Sequence, residues 1–268
     1  MRTVSPFKFA PLPRRLAGKR ALVTGAGSGI GRSVAIRLAQ EGARIGLVGR
    51  RTGMLEETAS VVRGEGGECL VLPCDVSQEA QVAQAVAAMV DAWDGLDVLV
   101  AVAGIELYQQ GDTRVDQLEL EVWQKTIAIN LTGMFLSCKH AVRAMLKGGK
   151  GGSIIITGSP TGSYGLALGE HAYCASKAGC HGLVRVMAHE YAPDGIRVNC
   201  VIPGFIDTAV NDLVFENPPV LEALNQTIPM RRPGNPDELA GIYAWLASDD
   251  ASYATGAFFT IDGGETAI

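Results

Sequence analysis

The stretch Thr24-Gly25-Ala26-Gly27-Ser28-Gly29-Ile30-Gly31 sets four glycines between a short apolar run and an amphipathic one that closes near Gly42. A strand that turns so tightly into a helix presents backbone N–H groups at the helix's positive end, where a pyrophosphate can approach. Taken alone, the loop is equally an ordinary strand-to-helix turn, so its weight depends on what surrounds it.

From Lys19 onward short β-rich runs alternate with longer helical periods, the pattern of βαβ units on a parallel sheet. Strands are predicted at residues 20–25, 43–49, 68–75, 96–104, 152–159, 196–204 and 257–264. Helices are predicted at 29–42, 77–93, 123–146 and 170–191. In the second of these Val82, Val86, Met89, Val90 and Trp93 recur at three- and four-residue spacing, and Ser77 is placed to cap the first turn. Pro193-Asp194-Gly195 ends the fourth. The fold class expected is α/β, a doubly wound Rossmann-type sheet of seven parallel strands with helices on both faces, in a single domain over 17–268. Residues 1–16, with three prolines, read as an N-terminal extension with freedom to move. Residues 205–229 form a long irregular piece after a strand end, carrying Asn217-Pro218-Pro219, and read as a substrate lid.

With 47% hydrophobic and 19% charged residues, the 268-residue chain can bury a sizeable core. A formal charge of -5 argues against a nucleic-acid surface. Six cysteines never reach C-x-x-C spacing and sit in apolar runs, which suits reduced core thiols and a cytoplasmic location better than disulfides or a metal site. No signal-like or membrane-length apolar span is present.

The second strand ends in Gly49-Arg50-Arg51, where a dinucleotide fold that grips the ribose hydroxyls often carries a carboxylate. A guanidinium there can fork onto a 2′-phosphate. NADP(H) is therefore favoured, with NAD(H) as the alternative; two solvated arginines at a helix start are the plain reading.

The glycine loop, Tyr173-Cys174-Ala175-Ser176-Lys177 and the run Ile196–Gly204 share the order and similar separations of motifs in the short-chain dehydrogenase/reductase family, which the chain resembles from Lys19 onward. The resemblance implies a catalytic set of Asn130, Ser159, Tyr173 and Lys177, with Ser163 as the fallback serine. It implies cofactor contacts from Gly25, Ser28, Gly29, Ile30, Gly31, Asp75, Val76, Ala103, Gly104, Pro203, Gly204, Ile206 and Thr208. Asp75 would hold the adenine, Ala103-Gly104 the nicotinamide ribose, and Ile206 and Thr208 the carboxamide. Asn130 would position a water that relays protons. Ala101-Val102-Ala103-Gly104 stands where the family has Asn-Asn-Ala-Gly. A homotetramer is also implied, through the helices that hold Asn130 and Tyr173.

The chemistry agrees with this set. Residues i and i+4 share a helix face, and of six tyrosines only Tyr173 has a lysine four positions on. Lowering a phenol's pKa of about 10 by three units takes about 4 kcal/mol. One ammonium at about 4–5 Å in a partly screened site supplies energy of that order. Tyr173 would then act as general acid or base, Ser159 would stabilise the developing oxyanion, and Lys177 would acidify the phenol. The plainer reading is a half-buried tyrosine with a lysine snorkelling to water.

Pro160, Tyr164, Leu166, Leu168, Phe205, Leu213, Val214 and Phe215 suggest an apolar substrate pocket, hence a ketone or secondary alcohol with apolar substituents. A 3-oxoacyl thioester is the competing substrate. His171 is expected at the rim. No G-x-S-x-G, P-loop or H-E-x-x-H pattern supports a hydrolase, nucleotide triphosphatase or metalloprotease. A dinucleotide-binding sensor that has lost its chemistry would be expected to lack the tyrosine or the lysine, and both are present.

Overall fold

A computed structural model describes residues 14–108, 110–164 and 169–267. The seven expected strands form: β1 Arg20–Thr24, β2 Arg44–Gly49, β3 Cys69–Pro73, β4 Val98–Ala101, β5 Gly152–Thr157, β6 Ile196–Pro203 and β7 Phe258–Ile261. All pair in parallel, in the order β3-β2-β1-β4-β5-β6-β7. The winding reverses between β1 and β4, which opens a crevice at the carboxyl ends of those strands.

Side-chain alternation along the strands divides the core in two. Leu22, Leu99, Ile154, Ile156, Val198 and Cys200 face α3 Glu79–Trp93, α5 Gly133–Gly148 and α6 His171–Tyr191. Val23, Val98, Val100, Ile155 and Val201 face the opposite layer, α1 Gly29–Gln40, α2 Thr52–Gly64 and α9 Pro236–Ala247. Both faces of a parallel sheet are thereby covered. Gly46 in β2 is fixed by packing, since a Cβ there would lie 2.5 Å from the Met89 sulfur.

Four expectations change. Ser77 does not cap α3; its hydroxyl donates to Asp75 Oδ1 at 2.7 Å, and Gln78 takes the N-cap position without a side-chain bond. The helix expected over 123–146 is α4 Leu120–Ile127, a π-helical turn Ala128–Thr132 and then α5. The piece read as irregular over 205–229 holds a 3₁₀ turn at Ala209–Asn211, α7 Asp212–Phe215 and α8 Pro218–Thr227. Finally, residues 14–16 belong to the packed body. Leu16 is fully buried, and Arg15 forks onto the buried Glu41 at 2.7 and 2.8 Å, with Arg37 on the same carboxylate at 2.8 Å. Burial would raise the Glu41 carboxyl, but the two arginines outweigh it and hold it below the usual carboxylate range. The rest of the expected extension, residues 1–13, lies outside the described residues.

Candidate active site

A cavity of about 780 Å³ opens at the carboxyl end of the sheet, lined by the ends of β2, β5 and β6 and by the residues that follow β1 and β4. Its dinucleotide half begins at the glycine loop. Gly25 has φ +73°, in the left-handed region, and a Cβ on Gly31 would lie 2.3 Å from the Gly25 carbonyl oxygen. The turn therefore closes only with hydrogen at Gly31. Ser28 is the N-cap of α1 yet places no side-chain oxygen on its first N–H groups. Bare N–H groups in a glycine cradle fit a pyrophosphate. Thr208 packs its methyl 3.1 Å from where a Gly29 Cβ would stand, so the start of the lid segment abuts this loop.

Thr24 Oγ1 accepts the N–H groups of Val102 and Ala103, each at 3.1 Å. The exit of β4 is thus braced by a strand β1 hydroxyl although two asparagines of the family pattern are replaced. Arg50 and Arg51 are exposed on the cavity wall, and Arg51 Nη2 donates to Ser28 Oγ at 3.3 Å. Asp75 and Val76 line the same wall, as do Ala103, Gly104, Pro203, Gly204 and Ile206. The expected dinucleotide residues are therefore brought together.

The reacting end is built by β5 and α6. Lys177 is buried and its Nζ donates to the Thr157 carbonyl at 3.0 Å, lying 5.5 Å from the Tyr173 ring centroid. Thr157 Oγ1 in turn shares a 2.8 Å hydrogen bond with the Tyr243 hydroxyl in α9. Ser159 is buried, caps the 3₁₀ turn Pro160–Gly162 by accepting from Thr161 N, shares a 3.0 Å hydrogen bond with Thr161 Oγ1, and lines the cavity with Tyr173. The fallback Ser163 is instead paired with His181 Nδ1 at 3.3 Å and does not line the cavity.

The acidification expected of Lys177 is not a property of the chain by itself. Burial pushes the Tyr173 phenol up, and Glu106 adds to that by like-charge repulsion, while the neighbouring Ser159 hydroxyl works against both. Asn130 also differs from expectation. Its carboxamide accepts from Ile105 N at 2.8 Å, donates to Ile105 O at 2.8 Å and donates to Ser176 Oγ at 3.2 Å. The side chain is buried within the π turn and is not on the cavity wall. The extra residue of that turn swings one carboxamide onto the β4 exit.

On the substrate side Pro160, Phe205 and Val214 reach the cavity, whereas Tyr164, Leu213, Phe215 and His171 do not; Phe215 stacks on Phe205 at 5.4 Å. Leu166 and Leu168 lie outside the described residues. Polar groups also line the cavity, from Glu106, Tyr108, Gln110 and Glu170, among the apolar Ile105 and Leu107. Burial pushes both carboxyls up and each acts on the other, Glu170 rising to about 8. The sequence reading missed this pair. Its signal was available, since Glu106 follows Gly104 by two residues and Glu170 precedes Tyr173 by three.

A parallel doubly wound sheet with a glycine cradle and a serine, tyrosine and lysine at one crevice defines a nucleotide-dependent oxidoreductase of the short-chain class. The chain belongs to the short-chain dehydrogenase/reductase family: a family model described as "Enoyl-(Acyl carrier protein) reductase" matches residues 25–266. It is 38% identical over 263 residues to a glucose 1-dehydrogenase of Gluconobacter oxydans, covering 96% of this chain and 95% of that one. It is 39% identical over 253 residues to a D-threitol dehydrogenase of Mycolicibacterium smegmatis, covering 94% of each. The crystal structure of a gluconate 5-dehydrogenase from Burkholderia cenocepacia in complex with NADP and tartrate superposes with a TM-score of 0.88 at 31% identity, covering 95% of this chain and 98% of that one. The protein is accordingly an enzyme acting on CH–OH or C=O groups. Among the described residues no helix is long and apolar enough to cross a membrane, and no cluster of ligands suited to a metal ion occurs.

Proposed function

We propose that the protein is an NADP(H)-dependent oxidoreductase that interconverts a ketone and a secondary alcohol. The observation that carries this reading is the opening of Ser159, Tyr173, Lys177 and the glycine cradle onto one cavity. The nicotinamide cofactor supplies hydride transfer to or from the carbonyl carbon. The glycine loop and the first turn of α1 hold its pyrophosphate, and Arg50 and Arg51 hold a 2′-phosphate; the NADP in complex with the Burkholderia enzyme supports that preference. Phe205 and the α7–α8 segment cover the substrate.

Tyr173 moves the proton at the substrate oxygen. Its protonated phenol suits donation to a developing alkoxide, and Ser159 offers a second hydrogen bond to the same oxygen. Lys177, anchored by the Thr157 carbonyl, keeps a positive charge beside the phenol. Asn130 acts by clamping residue 105 to the π turn and to Ser176, which fixes the β4 exit against α6. A homotetramer is supported by apolar residues left exposed on the helices around Asn130 and Tyr173, namely Leu120, Trp123, Phe135 and Val186.

Absorbance of reduced nicotinamide across a panel of ketones and alcohols tests the reading. Tyr173→Phe should cut turnover by about 10²–10⁴-fold while NADPH still binds. Wild-type turnover in that variant would reject the assignment.

A further inference from the structure

Beyond the reacting set, the cavity is lined by two kinds of residue. Its lid wall is apolar, formed by Phe205, Val210, Val214, Val220 and Leu224. The carboxyls of Glu106 and Glu170 line the same cavity, as do Tyr108 and Gln110. Glu170 is more than nine-tenths buried, and no salt bridge among the described residues reaches either carboxyl. Lys177 tempers Glu106 electrostatically, but its amine is committed to the Thr157 carbonyl. Glu106 and Glu170 line the cavity together with Tyr173, and the charge of each raises its phenol.

Two carboxyls lining one cavity present several acceptor lone pairs, and a donor wherever one of them is protonated. Such a wall matches hydroxyl groups, each of which donates and accepts. An anionic substituent would meet like charge and acceptor lone pairs. A purely apolar substituent would bury the pair with its hydrogen-bonding capacity unmet, at a cost that a hydroxylated substrate avoids.

We propose that Glu106 and Glu170 form the substrate-selecting wall of the site, and that they favour a neutral polyol or hydroxyketone bearing a further hydroxyl beside the reacting carbon. This rests on the oxidoreductase reading above and replaces the expectation of an apolar substrate. The apolar lid faces the carbon skeleton while the carboxyl wall faces its hydroxyls. Substrate carboxylates and phosphates are selected against at this wall.

The test compares kcat/KM for α-hydroxycyclohexanone and for cyclohexanone, with NADPH and the full chain. Wild type should prefer the hydroxyketone. Glu170→Leu and Glu106→Leu should each lower that preference by about 30-fold, whereas Glu170→Gln and Glu106→Gln, which keep hydrogen-bonding groups, should retain most of it. NADPH binding verifies that each variant is folded, and Glu106, being less buried, supplies the decisive variant where Glu170→Leu fails to fold. A preference for cyclohexanone in wild type, or a ratio unmoved in the leucine variants, overturns the inference alone. NADPH binding without turnover of either ketone, or of any other carbonyl or alcohol, overturns the oxidoreductase reading and this inference with it.

Discussion

Asp112 holds the first turn of the helix that carries Tyr173: its two carboxylate oxygens accept the backbone N–H groups of Ala172 at 3.0 Å and Tyr173 at 2.9 Å. The carboxylate is buried, and it sits sixty residues away in sequence, at a helix end whose N–H groups would otherwise lack partners. Removing it should therefore loosen the turn that aims the phenol. Asp112→Ala is expected to cost about 1–2 kcal/mol of stability and to lower kcat about tenfold, with NADPH affinity little changed. Thermal denaturation and steady-state kinetics on one preparation check both halves.

Arg50 and Arg51 make a second expectation. The double variant Arg50→Ala, Arg51→Ala should raise KM for NADPH by about tenfold to a hundredfold and leave KM for NADH nearly where it was. An equal loss for both cofactors would move these arginines from phosphate recognition to general surface charge.

Gly31→Ala should be far more damaging than its one added carbon suggests. The new Cβ would stand 2.3 Å from the Gly25 carbonyl oxygen and 2.7 Å from its carbon, so the cradle must open. NADPH affinity, read by fluorescence titration, should fall by about tenfold or more. Gly53→Ala, where a Cβ meets nothing within 4 Å, is the matched control.

The Glu106–Glu170 pair gives a pH signature. Glu170 rises from 4.5 to about 8 through burial and through Glu106, with Asp112 adding to the repulsion and Lys177 acting on Glu106 from the far side. Within that window the folded chain holds more protons than the unfolded chain, so this group's contribution to stability declines as pH rises and is lost above about 8. Glu170→Gln cannot ionise. Its melting temperature relative to wild type should be more favourable at pH about 9 than at pH about 5, as differential scanning calorimetry would show.

Much of the architecture was legible because it follows from local chemistry. Short β-rich runs alternating with longer helical periods marked all seven strands, and the glycine loop with its strand-to-helix context located the crevice. What stayed hidden depends on tertiary contacts. The π turn at Ala128–Thr132 leaves no composition signal, since its residues read as ordinary helix. Tyr164 was expected among the residues of an apolar pocket, yet it follows the 3₁₀ turn at Pro160–Gly162 and remains exposed. Glu106 and Glu170 are 64 positions apart, so only the fold makes them a pair. Arg15 and Leu16 lay beyond a proline-rich stretch whose composition suggested no packing, and a single buried glutamate draws them in.

Thr157 links two helices that pack on opposite faces of the sheet, α6 and α9. Its carbonyl docks the Lys177 amine, while its hydroxyl is tied to a tyrosine of the rear helical layer. The ammonium's resting place is thus set from behind the sheet as well as from α6. Any loosening of α9, through heat or through a smaller side chain at Tyr243, would be transmitted by one peptide unit to the proton-handling end of the crevice.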